Sequence, residues 1–457
     1  MSSNPNKLLQ DQWSSKLAFV LAATGAAVGL GNIWRFPYIA GTHGGSAFVL
    51  LYILFVLLIG IPMMLSEFVI GRAGRSYPME SLKKIATDHK HSRHWGLLGL
   101  WGALALILVL SFYSVVSGWS MAYLCKSLQG QFNQQSPAAI QTIWSNFLAN
   151  PSEMIFWHTL FMGLTMGVIM AGVQQGLERG TKLMMPLLYL ILFTLVIYAA
   201  KMGDSKAAWH FLFDFHPEKI DSQVVIAALG HAFFTLALGA GALVMYGAYI
   251  PRDVHLVNSV FIVVALDVLV AILSGMAIFP MVFAAHLAPS AGPGLMFEAL
   301  PISFSQLTHG NMIGSLFFLL LLFAAWTSSI NIAEPLIVML MNQLNWTRRQ
   351  AAALTGLIAW GLGLISVFSF NVFKDFKLFQ NQESLFDFIT NFSTNILLPI
   401  GGIGFAVFAG YIMTRQQSKQ QLDTNPLLYS LWRFCIRYLA PIGVACLLLA
   451  GFLMGSN

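Results

Sequence analysis

The sequence predicts an all-α polytopic membrane protein with about eleven transmembrane helices, and three observations carry that prediction. The first is composition. Of 457 residues, 57% are hydrophobic and only 9% are charged, with a mean hydropathy of +0.72. A water-soluble domain has nearer a quarter of its residues charged, so charge is too scarce here to cover a solvated surface. The second is the recurrence of apolar runs close to the roughly 20 residues that cross a bilayer. The third is the placement of Lys and Arg, which cluster in alternate loops.

The runs fall at 17–39, 47–70, 97–128, 155–171, 183–200, 224–248, 256–287, 312–340, 351–372, 385–413 and 428–453. The loop after the second holds Arg72, Arg75, Lys83, Lys84, Lys90 and Arg93. The loop after the eighth holds Arg348 and Arg349, and the loop after the tenth holds Arg415 and Lys419. Loops 129–154 and 287–311 contain neither Lys nor Arg. Cytoplasmic loops carry the basic excess, so the N-terminus is expected in the cytoplasm and, with an odd span count, the C-terminus outside. The net charge of +6 is then an orientation signal, and nucleic acid is not expected as a partner. Cys125, Cys435 and Cys446 form no disulfide framework or metal-ligand spacing. The polar start, MSSNPNKLLQDQW, and the length of the first run argue against a cleavable signal.

Two spans are interrupted. Residues 25–37, GAAVGLGNIWRFP, place three glycines, an asparagine, an arginine and a proline inside span one. Span six carries TLALGAGA from Thr235 to Ala242. One glycine-rich span means little, because glycine is common where membrane helices touch. Two breaks five spans apart suggest two five-helix repeats of opposite orientation, about residues 13–202 and 222–413, each opening with a discontinuous helix. An extra helix at about 426–454 follows, and the whole of 1–457 is one transporter domain. Paired breaks of this kind point to a midplane binding site, where unwound backbone offers carbonyls to cations and half-helix ends to charged groups.

The stretches AAVGLGNIWRFPY, GGSAF, GIPMMLSEFVIGR, FFTLALGAGA and WTSSINIAEP together resemble the neurotransmitter:sodium symporter family, in its bacterial, eleven-span, amino-acid-transporting form. The resemblance runs from span one to span ten. It implies a Na⁺-coupled secondary transporter in the bacterial inner membrane, working by alternating access, with no catalytic residues and no organic cofactor. It implies a first Na⁺ site at Ala27, Asn32, Thr235 and Asp267. The last is a carboxylate where the family often has an amide; an acid inside a span is a functional candidate in its own right. A second Na⁺ site is implied at Gly25, Val28, Ala324, Thr327 and Ser328. Hydroxyls there would otherwise read as glue between helices.

Between the breaks, the resemblance implies a substrate site of Ala26, Ala27, Leu30, Gly31, Val109, Tyr113, Phe234, Thr235, Ala237, Ala240, Ser328 and Ile332. Gly29 stands where monoamine carriers have an aspartate, so the expected substrate is a neutral L-amino acid whose own carboxylate meets the first Na⁺ and Tyr113. The small side chains of Ala237 and Ala240 favour a large apolar or aromatic substrate; a small amino-acid-like osmolyte is the alternative. Arg35 and Asp387 are implied as a paired extracellular gate above a lid of Phe234 and Tyr113. Gln10, Trp13, Tyr249 and Asn342 occupy the cytoplasmic gate positions, with amides where the family has an ion pair. Gly176 and Pro186 bracket the start of span five, a stretch expected to unwind.

Chloride is not expected. The family's anion site would fall at Tyr52, His231, Thr235, Asp267 and Ala271. Ala271 lacks a hydroxyl, and Asp267 or Glu67 would supply a fixed negative charge that repels a second anion at low dielectric. His231, beside Asp267, is expected to link the site to pH. No obligate protein partner is expected. The rivals are an intramembrane enzyme using His231, Asp267 and Glu67, for which no catalytic motif speaks, and a sodium-gated channel.

Overall fold

The computed structural model describes residues 13–251, 253–289, 295–307, 309–376, 378 and 384–454. Among these the secondary structure is helical, with no β-strand. Among the described residues, nine continuous helices and one bent pair are long and apolar enough to cross a membrane, and two short halves are counted here as span six. Span one is Lys16–Ala27 followed, after a break, by Gly31–Thr42, the two halves bent by 48°. Spans two to five are Ser46–Gly74, Arg93–Leu128, Pro151–Met170 and Val173–Met202. Span six is Ser222–Thr235 and Ala242–Ala248. Spans seven to eleven are Leu256–Ala284, Gly310–Leu344, Arg348–Phe368, Leu385–Ile412 and Pro426–Ala450.

The helix starts obey ordinary capping chemistry. Ser15 opens span one by accepting from Ala18 N–H, and Asp221 opens span six by accepting from Val224 N–H. Thr347 and Gln350 form a reciprocal capping box at the start of span nine. Each satisfies amide groups that a helix N-terminus leaves without internal partners. Prolines stand in the first turn of spans four and eleven, where no donor is lost.

Span eight is the centre of the molecule. In its most apolar stretch 72% of residues are buried, against 22% for span eleven. It runs along span three and also meets spans one, five and nine. Long spans thus form a rigid frame around the two broken ones. In span one, helix geometry stops at Ala27, and Val28 is extended (φ −70°, ψ 108°). In span six the chain leaves helix after Thr235. It turns through Ala237, Gly239 and Gly241, all at positive φ (52°, 88° and 75°). Gly239 is also a point of close approach: a Cβ there would lie 2.0 Å from the Leu398 carbonyl oxygen of span ten. The φ and the crowding together exclude any side chain. Span five begins with a π-helical turn at Val173–Glu178 and keeps Pro186 inside the helix. The stretch expected to unwind is thus helical here, with an irregular first turn.

Candidate functional site

The two breaks face each other across a buried, mostly apolar cavity of about 60 Å³. All the predicted substrate residues line it except Leu30. Leu30 belongs instead to the chamber above, because the helix restarts there and turns its side chain outward. Its amide still serves the lower site, donating to the Tyr113 hydroxyl at 3.0 Å. Gly29 lies against span eight so tightly that a Cβ would meet Ser328 Oγ at 2.5 Å and Tyr113 Oη at 2.7 Å. Sequence reasoning missed Leu106, Ala242 and Leu398, which complete the wall. Ala242 closes the TLALGAGA stretch, but no motif marks Leu106 or Leu398; only the packing of spans three and ten onto the span six turn brings those two in.

A polar cluster sits at the outer end of the break. Asp267 on span seven is fully buried. It accepts from Asn32 Nδ2 at 2.8 Å, from Thr235 Oγ1 at 3.3 Å to either oxygen, and from Tyr52 Oη at 3.3 Å. Asn32 Oδ1 accepts from Gly29 N–H at 3.0 Å, which ties the cluster to the unwound backbone. Asp267 forms no ion pair with a basic side chain among the described residues. A buried carboxylate with three donors and no cationic partner is costly, and the oxygens gathered around it suit a hard cation. His231 does not join this cluster, contrary to the sequence reading. Tyr52 lies between them. The His231 ring packs on Tyr52, Phe48 and Phe36, with centroids 5.1, 5.7 and 5.8 Å away, and neither nitrogen finds a hydrogen-bond partner among the described residues.

A second polar cluster joins span one to span eight. Ser328 Oγ donates within 3.1 Å of the Val28 carbonyl and 3.3 Å of the Gly25 carbonyl. Thr327 Oγ1 donates to the Ala324 carbonyl at 3.1 Å. All five residues proposed for the second cation are therefore together, and every one is buried. A Cβ on Gly25 would lie 3.3 Å from Thr327 Cβ, tighter than ordinary packing. Another buried acid, Glu67, accepts from Gly239 N–H at 2.7 Å and so holds the span six turn.

Above the cavity is a larger chamber of about 280 Å³, whose walls include Arg35, Tyr113, Phe234 and Asp387. Arg35 and Asp387 share that chamber but form no ion pair among the described residues, which corrects the expected gate. The Arg35 guanidinium lies over the Phe234 ring, 4.4 Å from its centroid. Asp387 is held by its own helix start, accepting from Ser384 Oγ at 2.6 Å and completing a capping box.

The opposite end, where the cytoplasmic gate is expected, is built differently from its prediction. Gln10 lies outside the described residues. Asn342 takes no part in the network: its amide donates to the Val338 carbonyl of its own helix at 2.7 Å. Trp13 does plug this end. It is buried, donates to the Tyr246 carbonyl at 3.4 Å and packs on Tyr246 and Tyr249 at 5.2 and 6.0 Å. The ion pair missing from the expected positions is supplied by Glu334 and Arg348. Glu334 is fully buried and accepts from Tyr249 Oη at 2.9 Å and Arg348 Nη1 at 3.1 Å, with a further close contact from Nη2. Arg348 Nε donates to the Ile169 carbonyl at 2.7 Å, joining span nine to the end of span four. Glu178 accepts from the Ser14 amide at 3.0 Å and pairs with Lys182 at 2.6 Å, so the N-terminal segment is also tied to span five. The sequence signal for Glu334 was present, since it is an acid inside a membrane span.

Two discontinuous helices whose breaks meet at a buried cavity, flanked by carbonyls, hydroxyls and acids, define a secondary transporter of the broken-helix class. The chain belongs to the sodium:neurotransmitter symporter family, which matches residues 10–146 and 145–454. Two sodium-dependent transporters are similar to it over nearly their whole length. That of Bacillus subtilis is 33% identical over 437 residues, 95% of this chain and 96% of the relative. That of Haemophilus influenzae is 33% identical over 446 residues, 96% and 97% of the two chains. Among solved structures, MhsT in complex with L-phenylalanine superposes with a TM-score of 0.89 at 39% identity, covering 96% of this chain and 99% of that one. The protein is thus a multi-pass membrane transporter coupled to sodium, and not an enzyme.

Proposed function

We propose that the protein carries a neutral L-amino acid with a hydrophobic or aromatic side chain into the cytoplasm, together with two Na⁺ ions. The observation that carries this reading is the placement of an apolar cavity between two separate oxygen clusters. One contains the buried carboxylate of Asp267, and the other only carbonyls and hydroxyls. The first Na⁺ is assigned to Ala27, Asn32, Thr235 and Asp267, and the second to Gly25, Val28, Ala324, Thr327 and Ser328. The substrate carboxylate faces Tyr113 and the unwound backbone of span one. Its side chain runs toward Ala237, Ala240, Ala242 and Leu398, where the wall is apolar and mostly small. That MhsT was crystallised with L-phenylalanine supports an amino-acid cargo of this kind.

Chloride has no part in this cycle. Asp267 already places a negative charge where an anion would bind, Ala271 offers no hydroxyl, and a second anion nearby would be repelled in a low-dielectric interior. The basic loops put the N-terminus in the cytoplasm of a bacterial inner membrane. The halves at about 13–202 and 222–413 move as inverted repeats about the cavity. A binding screen of the common amino acids against purified protein, with and without Na⁺, tests the proposal. Leucine, phenylalanine or tryptophan is expected to bind only with Na⁺. Tightest binding of glycine or alanine, or equal binding without Na⁺, would overturn it.

A further inference from the structure

The ends of spans ten and eleven, away from the transport site, carry two arginines that nothing above uses. Arg433 and Arg437 lie one helical turn apart on span eleven, so they share a face. Arg437 is rigidly held. Its Nε donates to the Gly410 carbonyl at 2.7 Å, capping the end of span ten, and its guanidinium lies 4.8 Å from the centroid of the Tyr411 ring. Tyr411 Oη returns a hydrogen bond to the Arg437 carbonyl at 3.2 Å. The stem passes so close to span ten that a Cβ on Gly410 would lie 3.0 Å from Arg437 Cγ. Arg433 is held by Tyr429 Oη at 2.9 Å and Ser418 Oγ at 3.3 Å through one nitrogen, Nη1.

Neither arginine forms an ion pair with a carboxylate among the described residues. The terminal nitrogens of Arg437 find no protein acceptor among them. Asp423, in the loop before span eleven, forms no ion pair with either of them among the described residues. Two fixed guanidinium groups thus present unused donors with no protein counter-charge.

Their depth says what they face. Tyr411 is the last residue but one of span ten, and Phe408, one turn earlier, packs on Trp95 at the start of span three. Tyr and Trp at span ends mark the membrane–water interface. Arg437 therefore sits at headgroup level, with Arg433 a turn nearer the basic loop that holds Arg415 and Lys419. Phe434 and Tyr438, each the next residue after an arginine, are about half exposed (51% and 49%). Apolar surface beside a fixed cation suits an acyl chain with an anionic head; a free anion gains nothing from it.

We propose that this corner between spans ten and eleven is a binding site for one anionic phospholipid. Its phosphate is taken by the guanidinium groups of Arg433 and Arg437, and its chains lie on Phe434 and Tyr438. An orientation signal needs only charge in a loop. Here the guanidinium of Arg437 is pre-positioned by a carbonyl, a ring and a glycine, which removes much of the ordering cost of binding.

Native mass spectrometry of the purified full chain, offered equal amounts of phosphatidylglycerol and phosphatidylcholine, tests this. The wild type is expected to retain one phosphatidylglycerol in preference. A basic side chain at an anionic lipid surface is worth about fivefold in affinity. Arg433→Gln should therefore lower the preference about fivefold, and Arg433→Gln/Arg437→Gln about 25-fold. Arg433→Gln folds in any case, because Ser418 Oγ and Tyr429 Oη remain hydrogen-bonded to each other at 2.8 Å. The preference should survive in Lys83→Gln/Lys84→Gln, which removes two exposed charges from the first basic loop. A preference that persists in both arginine variants would overturn the proposal, as would its equal loss in the lysine variant. Displacement of the lipid by excess inorganic phosphate would also overturn it, in favour of a free-anion site.

Discussion

The two ends of the transport path are closed by different physics. At the end expected to face outside, the cavity is roofed by Phe234 and Tyr113, and above them Arg35 and Asp387 stand in a chamber of about 280 Å³ without forming an ion pair among the described residues. At the opposite end, expected to face the cytoplasm, Trp13 fills the path and the Glu334–Arg348 pair ties spans four, six, eight and nine together. The outer closure is aromatic contact, each part of which is weak and reversible. The inner closure is a buried charge network, expensive to leave half-made. Under the proposed function this asymmetry lets ligands enter past a light lid while the opposite end stays shut.

Removing one member of the inner network should have the largest effect. Arg348→Ala leaves Glu334 buried beside Tyr249 alone, at a cost of about 3–5 kcal/mol. It should lower thermal stability and expose a cysteine placed at Tyr246 to a membrane-impermeant thiol reagent applied from inside. Glu334→Gln/Arg348→Met, which removes both charges, should recover most of that stability. A single variant as stable and as closed as the wild type would show that the network does not hold the inner end.

Next comes the junction between the ends. Gly29→Ala places a methyl within 2.5 Å of Ser328 Oγ, and overpacking of this kind costs about 1–3 kcal/mol. Amino-acid binding is expected to weaken by roughly tenfold or more, while gel filtration still shows a folded monodisperse protein. Thr327→Ala/Ser328→Ala removes two hydroxyls from the second cluster, each hydrogen bond worth about 1 kcal/mol. The Na⁺ concentration needed for half-maximal binding should rise several-fold; an unchanged value would remove that cluster from the sodium path.

Two smaller effects sharpen the comparison. Ala240→Phe fills the cavity wall and should shift preference toward smaller side chains by about 1–3 kcal/mol, read as the ratio of leucine to alanine affinity. Asp387→Asn should change uptake least, by roughly threefold or less. Its side chain is already engaged at its own helix start, and an asparagine caps a helix nearly as well. A large loss of uptake would mean that Arg35 and Asp387 must pair at another stage of the cycle.

Much of this was legible in the sequence because membranes impose strong rules. Span count followed from apolar length, and the two breaks followed from glycines that no continuous helix needs. The two expected cation clusters came from the family resemblance; the residues alone marked only Asp267, an acid inside a span. What escaped the sequence was contact between distant spans. Leu398 lines the cavity only because Gly239, Gly401 and Gly402 let span ten approach the span six turn. Asn342 stood at the expected gate position, but a short amide at a helix end satisfies itself on its own backbone. Glu334, two turns earlier and buried, meets Arg348 across an interhelical turn that no spacing rule reveals. Leu30 lies between the two spaces: it lines the upper chamber, while its amide reaches the Tyr113 hydroxyl below, because the helix restarts there after the break.

The most direct measurement of the central claim is uptake of labelled leucine, phenylalanine and tryptophan into proteoliposomes under an inward Na⁺ gradient, with chloride replaced by gluconate. At least one of them is expected to accumulate above its external concentration, collapsing when the Na⁺ gradient is dissipated and unaffected by the loss of chloride. Accumulation that persists without a Na⁺ gradient, or that appears only with chloride, would contradict it.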